Sequence, residues 1–128
     1  MIEQSLTLPC GATLSNRICK AAMTEGLAGS TGVPGAALNQ LYGIWSDGGA
    51  GLLLSGNVQI DRDHLERPGN VVVDEEPDAA TKEALKAWAT AGTRSGNRLP
   101  SGRSRRRQAP REQCRSARAS RLPCESGA

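Results

Sequence analysis

Apolar and polar positions change period several times along this chain of 128 residues. Residues 6–15 alternate briefly and are broken by Pro9 and Gly11, which predicts a small β-hairpin. Residues 18–23 form a short apolar run that reads as a buried strand. Residues 24–35 are rich in Gly, Ser, Thr and Pro, a loop of a dozen residues. Loops of that length in a compact fold are usually functional or mobile. At Ala36 the period changes. Leu38, Leu41, Tyr42 and Trp45 fall at i, i+3, i+4 and i+7, one face of a helix over residues 36–47, which Gly48 and Gly49 stop.

Residues 50–60 follow as a nearly continuous apolar run, the pattern of a parallel strand covered on both faces. Residues 61–70 make a charged loop, and residues 71–73, three valines, a short extended piece. Residues 74–78 are acidic with one proline, good chemistry for a helix N-terminus. The second helix is predicted over residues 81–93, with Leu85, Trp88 and Ala89 on its apolar face and Lys82 and Lys86 off it. Helices alternating with strands predict an α/β fold with a parallel sheet. Long loops after the strands make a TIM (β/α)8 barrel the natural architecture. A barrel needs about eight strands, so this segment reads as an N-terminal fragment of one, with a hairpin at its base.

Charge divides the chain in two. Residues 1–93 carry 6 Lys+Arg against 11 Asp+Glu, whereas residues 94–128 carry 10 Arg against 2 Glu. The net charge of +3 therefore comes from the C-terminal part alone. Val73 is the last β-branched aliphatic residue. Beyond Arg94 only Leu99 and Leu122 are aliphatic side chains larger than alanine. Such a segment cannot bury enough apolar surface to offset an ordering cost of roughly 1–2 kcal/mol per residue. The expected organisation is a folded unit over residues 1–99 and a disordered Arg/Ser/Pro-rich tail over residues 100–128.

Other chemistries find little support. Cys10, Cys19, Cys114 and Cys124 include no CxxC pair, and His64 lies far from all four, so neither zinc nor a disulfide framework is expected. No apolar run approaches the ~18 residues of a membrane span. The first residues lack the basic and apolar regions of a signal peptide. A cytoplasmic setting is the default expectation. The arginines could attract phosphates without sequence preference. With no aromatic residue among them to stack on bases, specific nucleic-acid binding is not expected.

Three stretches carry a family resemblance. Residues 8–18 read Leu-Pro-Cys-Gly-Ala-Thr-Leu-Ser-Asn-Arg-Ile. Residues 20–26 read Lys-Ala-Ala-Met-Thr-Glu-Gly, and residues 48–58 read Gly-Gly-Ala-Gly-Leu-Leu-Leu-Ser-Gly-Asn-Val. In order, spacing and residue type they resemble the N-terminal part of an NADH:flavin oxidoreductase of the Old Yellow Enzyme type, across residues 6 to about 99. The resemblance implies an FMN-binding TIM barrel. In that chemistry NAD(P)H reduces the flavin, and hydride passes on to an activated alkene, a small-molecule substrate. It implies that Ala22 and Met23 line the flavin ring and that the Thr24 hydroxyl bonds near the reactive edge. Asn57, at the end of the second strand, is implied as a further flavin contact. Arg17 is expected to brace the hairpin. Cys19 lies five residues before Thr24 and is not the redox-tuning cysteine that some members carry at the Thr24 position.

The resemblance stops at Leu99. A third strand with a flavin-contacting glutamine and a His-x-Gly-Arg turn should follow. Residues 100–107 instead read Pro-Ser-Gly-Arg-Ser-Arg-Arg-Arg, from which no central strand is expected. The polypeptide as it stands is therefore expected to be catalytically inactive. The alternative is a non-catalytic fragment whose basic tail binds nucleic acid or acidic surfaces. We read residues from about Pro100 onward as a shifted reading frame of a GC-rich gene, since the apolar pattern is lost abruptly. The coding DNA tests this: one of the other two frames should give a strand with Gln followed by His-x-Gly after the Leu99 codon. Absence of that signature from both frames would contradict the reading.

Overall fold

The computed structural model describes residues 1–100 and the strand Gly102–Ser104. The first apolar alternation pairs as expected: β1 (Leu6–Thr7) runs antiparallel to β2 (Thr13–Leu14). Between them Gly11 adopts φ +84, a left-handed conformation that glycine enters without steric cost. Its N–H donates to the Leu8 carbonyl at 2.9 Å.

The remaining strands are parallel. β3 (Cys19–Lys20) pairs with β4 (Leu52–Leu53), and β5 (Asn57–Gln59) lies between β6 (Val71–Val72) and β7 (Gly102–Ser104). Residues 52–59 thus form one central track broken in the middle. β3 and then β6 flank it on one side. On the other side a bridge joins Leu52 to Arg98 and β7 follows. The expected unbroken strand over residues 50–60 is interrupted at Gly56, because its N–H donates at 3.0 Å to the Tyr42 hydroxyl and not to a neighbouring strand. Among the described residues the sheet is open, with no closed barrel.

β7 falls within the tail expected to be disordered, as an edge strand beside β5 and not a central one. Parallel pairing uses backbone N–H and C=O groups, which the arginine-rich composition leaves intact. Pro100 lies just ahead of the strand, where its missing N–H is harmless, and its carbonyl accepts from the Ser55 N–H. Residue 101 and residues 105–128 lie outside the described residues, and with them most of the tail expected to be disordered.

Two helices cover one face. α1 (Ala36–Asp47) has the expected bounds, and its end is capped by the Gly48 N–H on the Ile44 carbonyl and the Gly49 N–H on the Ser46 carbonyl. α2 (Ala79–Thr93) begins two residues earlier than expected, because Asp78 is the cap: its carboxylate accepts from the Thr81 N–H at 2.7 Å. Leu38, Tyr42, Val58, Val71 and Trp88 form the buried core between helices and sheet, with Leu85 and Leu99 packed against it. Ala89, expected on the apolar face, is exposed. The Tyr42 ring meets Trp45 and Trp88 edge-on, with centroids 5.0 and 5.1 Å apart. Arranged this way, aromatic pairs add roughly 0.5–1.5 kcal/mol beyond their burial.

The change of charge after residue 93 is not a structural break. Asn97 is buried. Its carbonyl oxygen accepts from the Ser46 hydroxyl at 2.5 Å, and its amide donates to Ala50 O. Arg94 pairs with Asp47 beside it. These bonds join the C-terminal ends of the two helices. The hairpin is braced by Asn16 rather than Arg17. The Asn16 side chain accepts from Ile18 N–H and Gly51 N–H and donates to Gly49 O at 2.7 Å. Arg17 is exposed.

One polar group crosses the core. The fully buried Tyr42 donates its hydroxyl to Glu25 Oε1 at 2.7 Å while accepting from Gly56 N–H. Burial, followed by the Glu25 hydrogen bond, pushes the phenol well above its ordinary range. A raised tyrosine value favours folding with the proton on. That stability is complete below the unfolded value of about 10 and is lost as pH rises above it. Tyr42→Phe should cost roughly 1–3 kcal/mol, since two buried partners lose their bond. It should also flatten the fall in stability above about pH 10. Denaturant midpoints across pH 7–11 check both outcomes.

Candidate flavin site

Thr24, four residues beyond β3, and Asn57, the first residue of β5, meet at one point. Thr24 Oγ1 donates to Glu66 Oε2 at 2.7 Å, and Asn57 Nδ2 donates to the same oxygen at 2.8 Å. The Asn57 amide also reaches Thr24 Oγ1 at 3.2 Å. Two donors from neighbouring strand tracks thus converge on a single acceptor oxygen. Those two hydrogen bonds, Thr24 first, hold the Glu66 carboxyl below its ordinary range. Charge-assisted bonds of this kind are roughly twice as strong as neutral ones.

Placement follows from local chemistry. Lys20, in β3, turns toward α1. Its ammonium lies 4.3 Å from the Trp45 ring centroid, donates to Leu54 O at 3.0 Å and stands 3.8 Å from Glu25 Oε1. Burial lowers its pKa, and Glu25 partly offsets that effect. Glu25 in turn holds Tyr42. Lys20 and Glu25 therefore anchor both ends of the stretch from Ala21 to Thr24. The strand tracks approach so closely that a Cβ on Gly56 would collide with Met23 O and Glu25 Oε2. Only glycine fits there, and this contact sets the spacing between Thr24 and Asn57.

Of the four residues expected to touch a flavin, Thr24 and Asn57 are brought together and are partly buried. Ala22 and Met23 lie on the exposed side of the same stretch, with Met23 52% exposed. Asn57 opens β5 instead of ending the second strand, because pairing with β6 and β7 carries that strand on to Gln59.

Two residues that sequence reasoning missed complete the picture. Glu66 comes from the charged loop, 42 positions from Thr24, so no local pattern marks it. Gln59 has a legible signal in strand alternation. Val58 faces the helices, so Asn57 and Gln59 share the opposite face. Gln59 is 1% exposed, and neither its Nε2 nor its Oε1 has a hydrogen-bond partner among the described residues. An unpaired buried polar group costs about 1–3 kcal/mol.

These observations test whether the site suits a flavin. Convergent donors, an exposed apolar stretch at Ala22 and Met23, and an orphaned amide on the same strand face match a planar ring with polar edge atoms. The residues fit. Among the described residues no group of His, Cys, Asp and Glu could hold a metal ion, and no helix is long and apolar enough to cross a membrane.

No family model matches the chain. Its sequence is 39% identical over 92 residues to the NADH-dependent flavin oxidoreductase iliE of Neonectria sp. (strain DH2), covering 71% of this chain and 12% of that protein. It is 33% identical over 96 residues to the NADH-dependent flavin oxidoreductase iccE of Talaromyces variabilis, covering 74% of this chain and 23% of that one. The chain therefore spans less than a quarter of the length of these two relatives. Its fold superposes on an Old Yellow Enzyme homologue from Zymomonas mobilis with a TM-score of 0.67 and 22% identity, over 80% of this chain and 27% of that one. By sequence the chain is similar to part of NADH-dependent flavin oxidoreductases, and its fold matches part of the barrel of an Old Yellow Enzyme homologue.

Proposed function

We propose that this chain supplies the first flavin-holding elements of an NADH-dependent flavin oxidoreductase, with FMN as the flavin. The observation that carries the reading is the convergence of the Thr24 hydroxyl and the Asn57 amide on one oxygen, in a chain related to flavin oxidoreductases. When bound, the flavin takes hydride from a nicotinamide and passes it to an electron-poor small molecule such as an activated alkene.

The protein's part in this scheme is preorganisation. Thr24 and Asn57 already point at a carboxylate oxygen, so they are aligned for an acceptor that carries negative charge. Donors fixed in advance stabilise such charge without reorganising when it develops. Ala22 and Met23 offer an apolar surface for one face of the ring. Lys20, Glu25 and Tyr42 keep the stretch before Thr24 rigid from behind, through bonds to Leu54 O and Gly56 N–H. Entry of a flavin requires Glu66 to give up its place on Thr24 and Asn57.

Hydride transfer itself belongs to a complete barrel of about eight strands. The described strands form only part of one, so the reading gives this polypeptide flavin binding without NADH oxidation. Riboflavin is the better probe, because it lacks the phosphate that arginines would attract. Fluorescence quenching should show saturable riboflavin binding. Thr24→Val and Asn57→Ala should each weaken it about tenfold, the loss of one net hydrogen bond. Unchanged affinity in both variants, or no binding by the parent chain, would overturn the assignment.

A further inference from the structure

Glu66 fills the place that the Thr24 and Asn57 donors offer, and the loop that carries it is fastened before and after it in sequence. At the start of loop 61–70, Arg62 makes a two-pronged pair with Asp74, from Nε at 3.0 Å and Nη2 at 3.2 Å. Its Nη1 donates to Thr31 O at 2.8 Å. At the end of the loop the Arg67 N–H donates to Asn70 Oδ1 at 2.9 Å, and Gly69 O accepts from Ala28 N–H at 2.9 Å. Gly69, with φ +82, lies so near Gly26 that a Cβ on it would strike the Gly26 carbonyl. Loop 61–70 is thus a strap with two anchors, and Glu66 hangs between them.

Glu66 itself is held only through its side chain. One oxygen takes the two bonds from Thr24 and Asn57, with Asn70 a lesser partner. The other oxygen has Arg67 at 3.7 Å, an exposed ion pair of the kind that contributes little. Leu65 next to it is exposed, and a cleft of about 240 Å3 lies against the strap, lined by Arg62, Leu65 and Pro68 and by Gly29, Ser30 and Gly32. Rotation about the bonds of the Glu66 side chain therefore frees Thr24 and Asn57 and leaves both anchors in place.

A carboxylate oxygen and a ring carbonyl oxygen are both acceptors, so donors aligned for one suit the other. A ligand's apparent affinity falls by the fraction of molecules whose site is open to it. We infer that Glu66 is a built-in competitor for the flavin: a tethered carboxylate that occupies the Thr24–Asn57 donor pair in the empty protein and sets how tightly the ring binds. This rests on the flavin assignment above and adds the regulation of that site. Until a flavin arrives, the carboxylate keeps two part-buried donors paired.

Glu66→Ala and Glu66→Gln separate a competitor from a structural strut. In fluorescence-quenching titrations Glu66→Ala should bind riboflavin about tenfold more tightly than the parent chain. Its ligand-free denaturant midpoint should fall, since two donors lose their partner. Glu66→Gln keeps the side chain's shape and an acceptor oxygen without the charge, and its affinity should lie between the two. Formate, a free carboxylate small enough for the vacated place, is the second probe. Compared with sodium chloride at equal ionic strength, it should weaken riboflavin binding by Glu66→Ala and raise that variant's midpoint, and leave the parent chain unchanged. Parent and variant carry the same arginines, so this difference reports the vacated place alone.

Riboflavin affinity no tighter than the parent's in both variants, with no response to formate beyond that to chloride, would assign Glu66 to structure. That result would overturn the inference and leave the flavin assignment standing. Failure of the parent and both variants to bind riboflavin would overturn both.

Discussion

The hydroxyl of Tyr42 is a polar group buried in the core, where it joins three elements. It sits on α1, donates to Glu25 after β3, and receives the N–H of Gly56 between β4 and β5. A phenol there solves two problems. The ring fills the apolar space between Trp45 and Trp88, and its oxygen pairs a backbone N–H that leaves the sheet ladder. That departure from the ladder breaks the central strand and lets Met23 O approach Gly56 with no side chain between them. The separation of Thr24 and Asn57, and so the convergence of their donors, depends on this contact.

The candidate site thus sits on the strand side of a fixed helix-sheet core. Lys20 and Glu25 lie beneath it, and their charges are spent on each other, on Trp45 and on carbonyl groups. Thr24, Asn57, Glu66 and Gln59 lie above it. The lower set is satisfied. The upper set is either committed to a displaceable carboxylate or unpaired. This division between a spent layer and an available layer is what a ligand site requires of its scaffold: rigid support behind groups that have a choice of partner.

Much of the fold was legible because helices announce themselves. Leu38, Leu41, Tyr42 and Trp45 fix the face of α1, and Gly48 its end. The strands were read less well. β3, β4 and β6 are two residues each, too short for alternation to mark their ends. β7 lies in arginine-rich sequence with no strand pattern, because backbone pairing at a sheet edge does not depend on apolar side chains. Arg98 bridges Leu52 whether or not its side chain suits a core. Charge changes after residue 93, yet the Asn97 amide a few residues on is buried between the helix ends. For the site, the residues expected from the resemblance were found on neighbouring strand tracks, whereas Glu66 needed the fold to bring a distant loop across. Gln59 lay within reach of sequence reasoning: once Val58 was placed in the core, its neighbours had to face the other way.

The central claim is that residues at the end of β3 and along β5 hold a flavin ring. Amide chemical shifts of the isotope-labelled chain, followed as riboflavin is added, test it most directly. The account predicts saturable shifts confined to residues around Met23, Thr24 and Asn57, together with Glu66 as its carboxylate is displaced. Shifts confined to the arginine-rich residues beyond Leu99, or none at all, would contradict it.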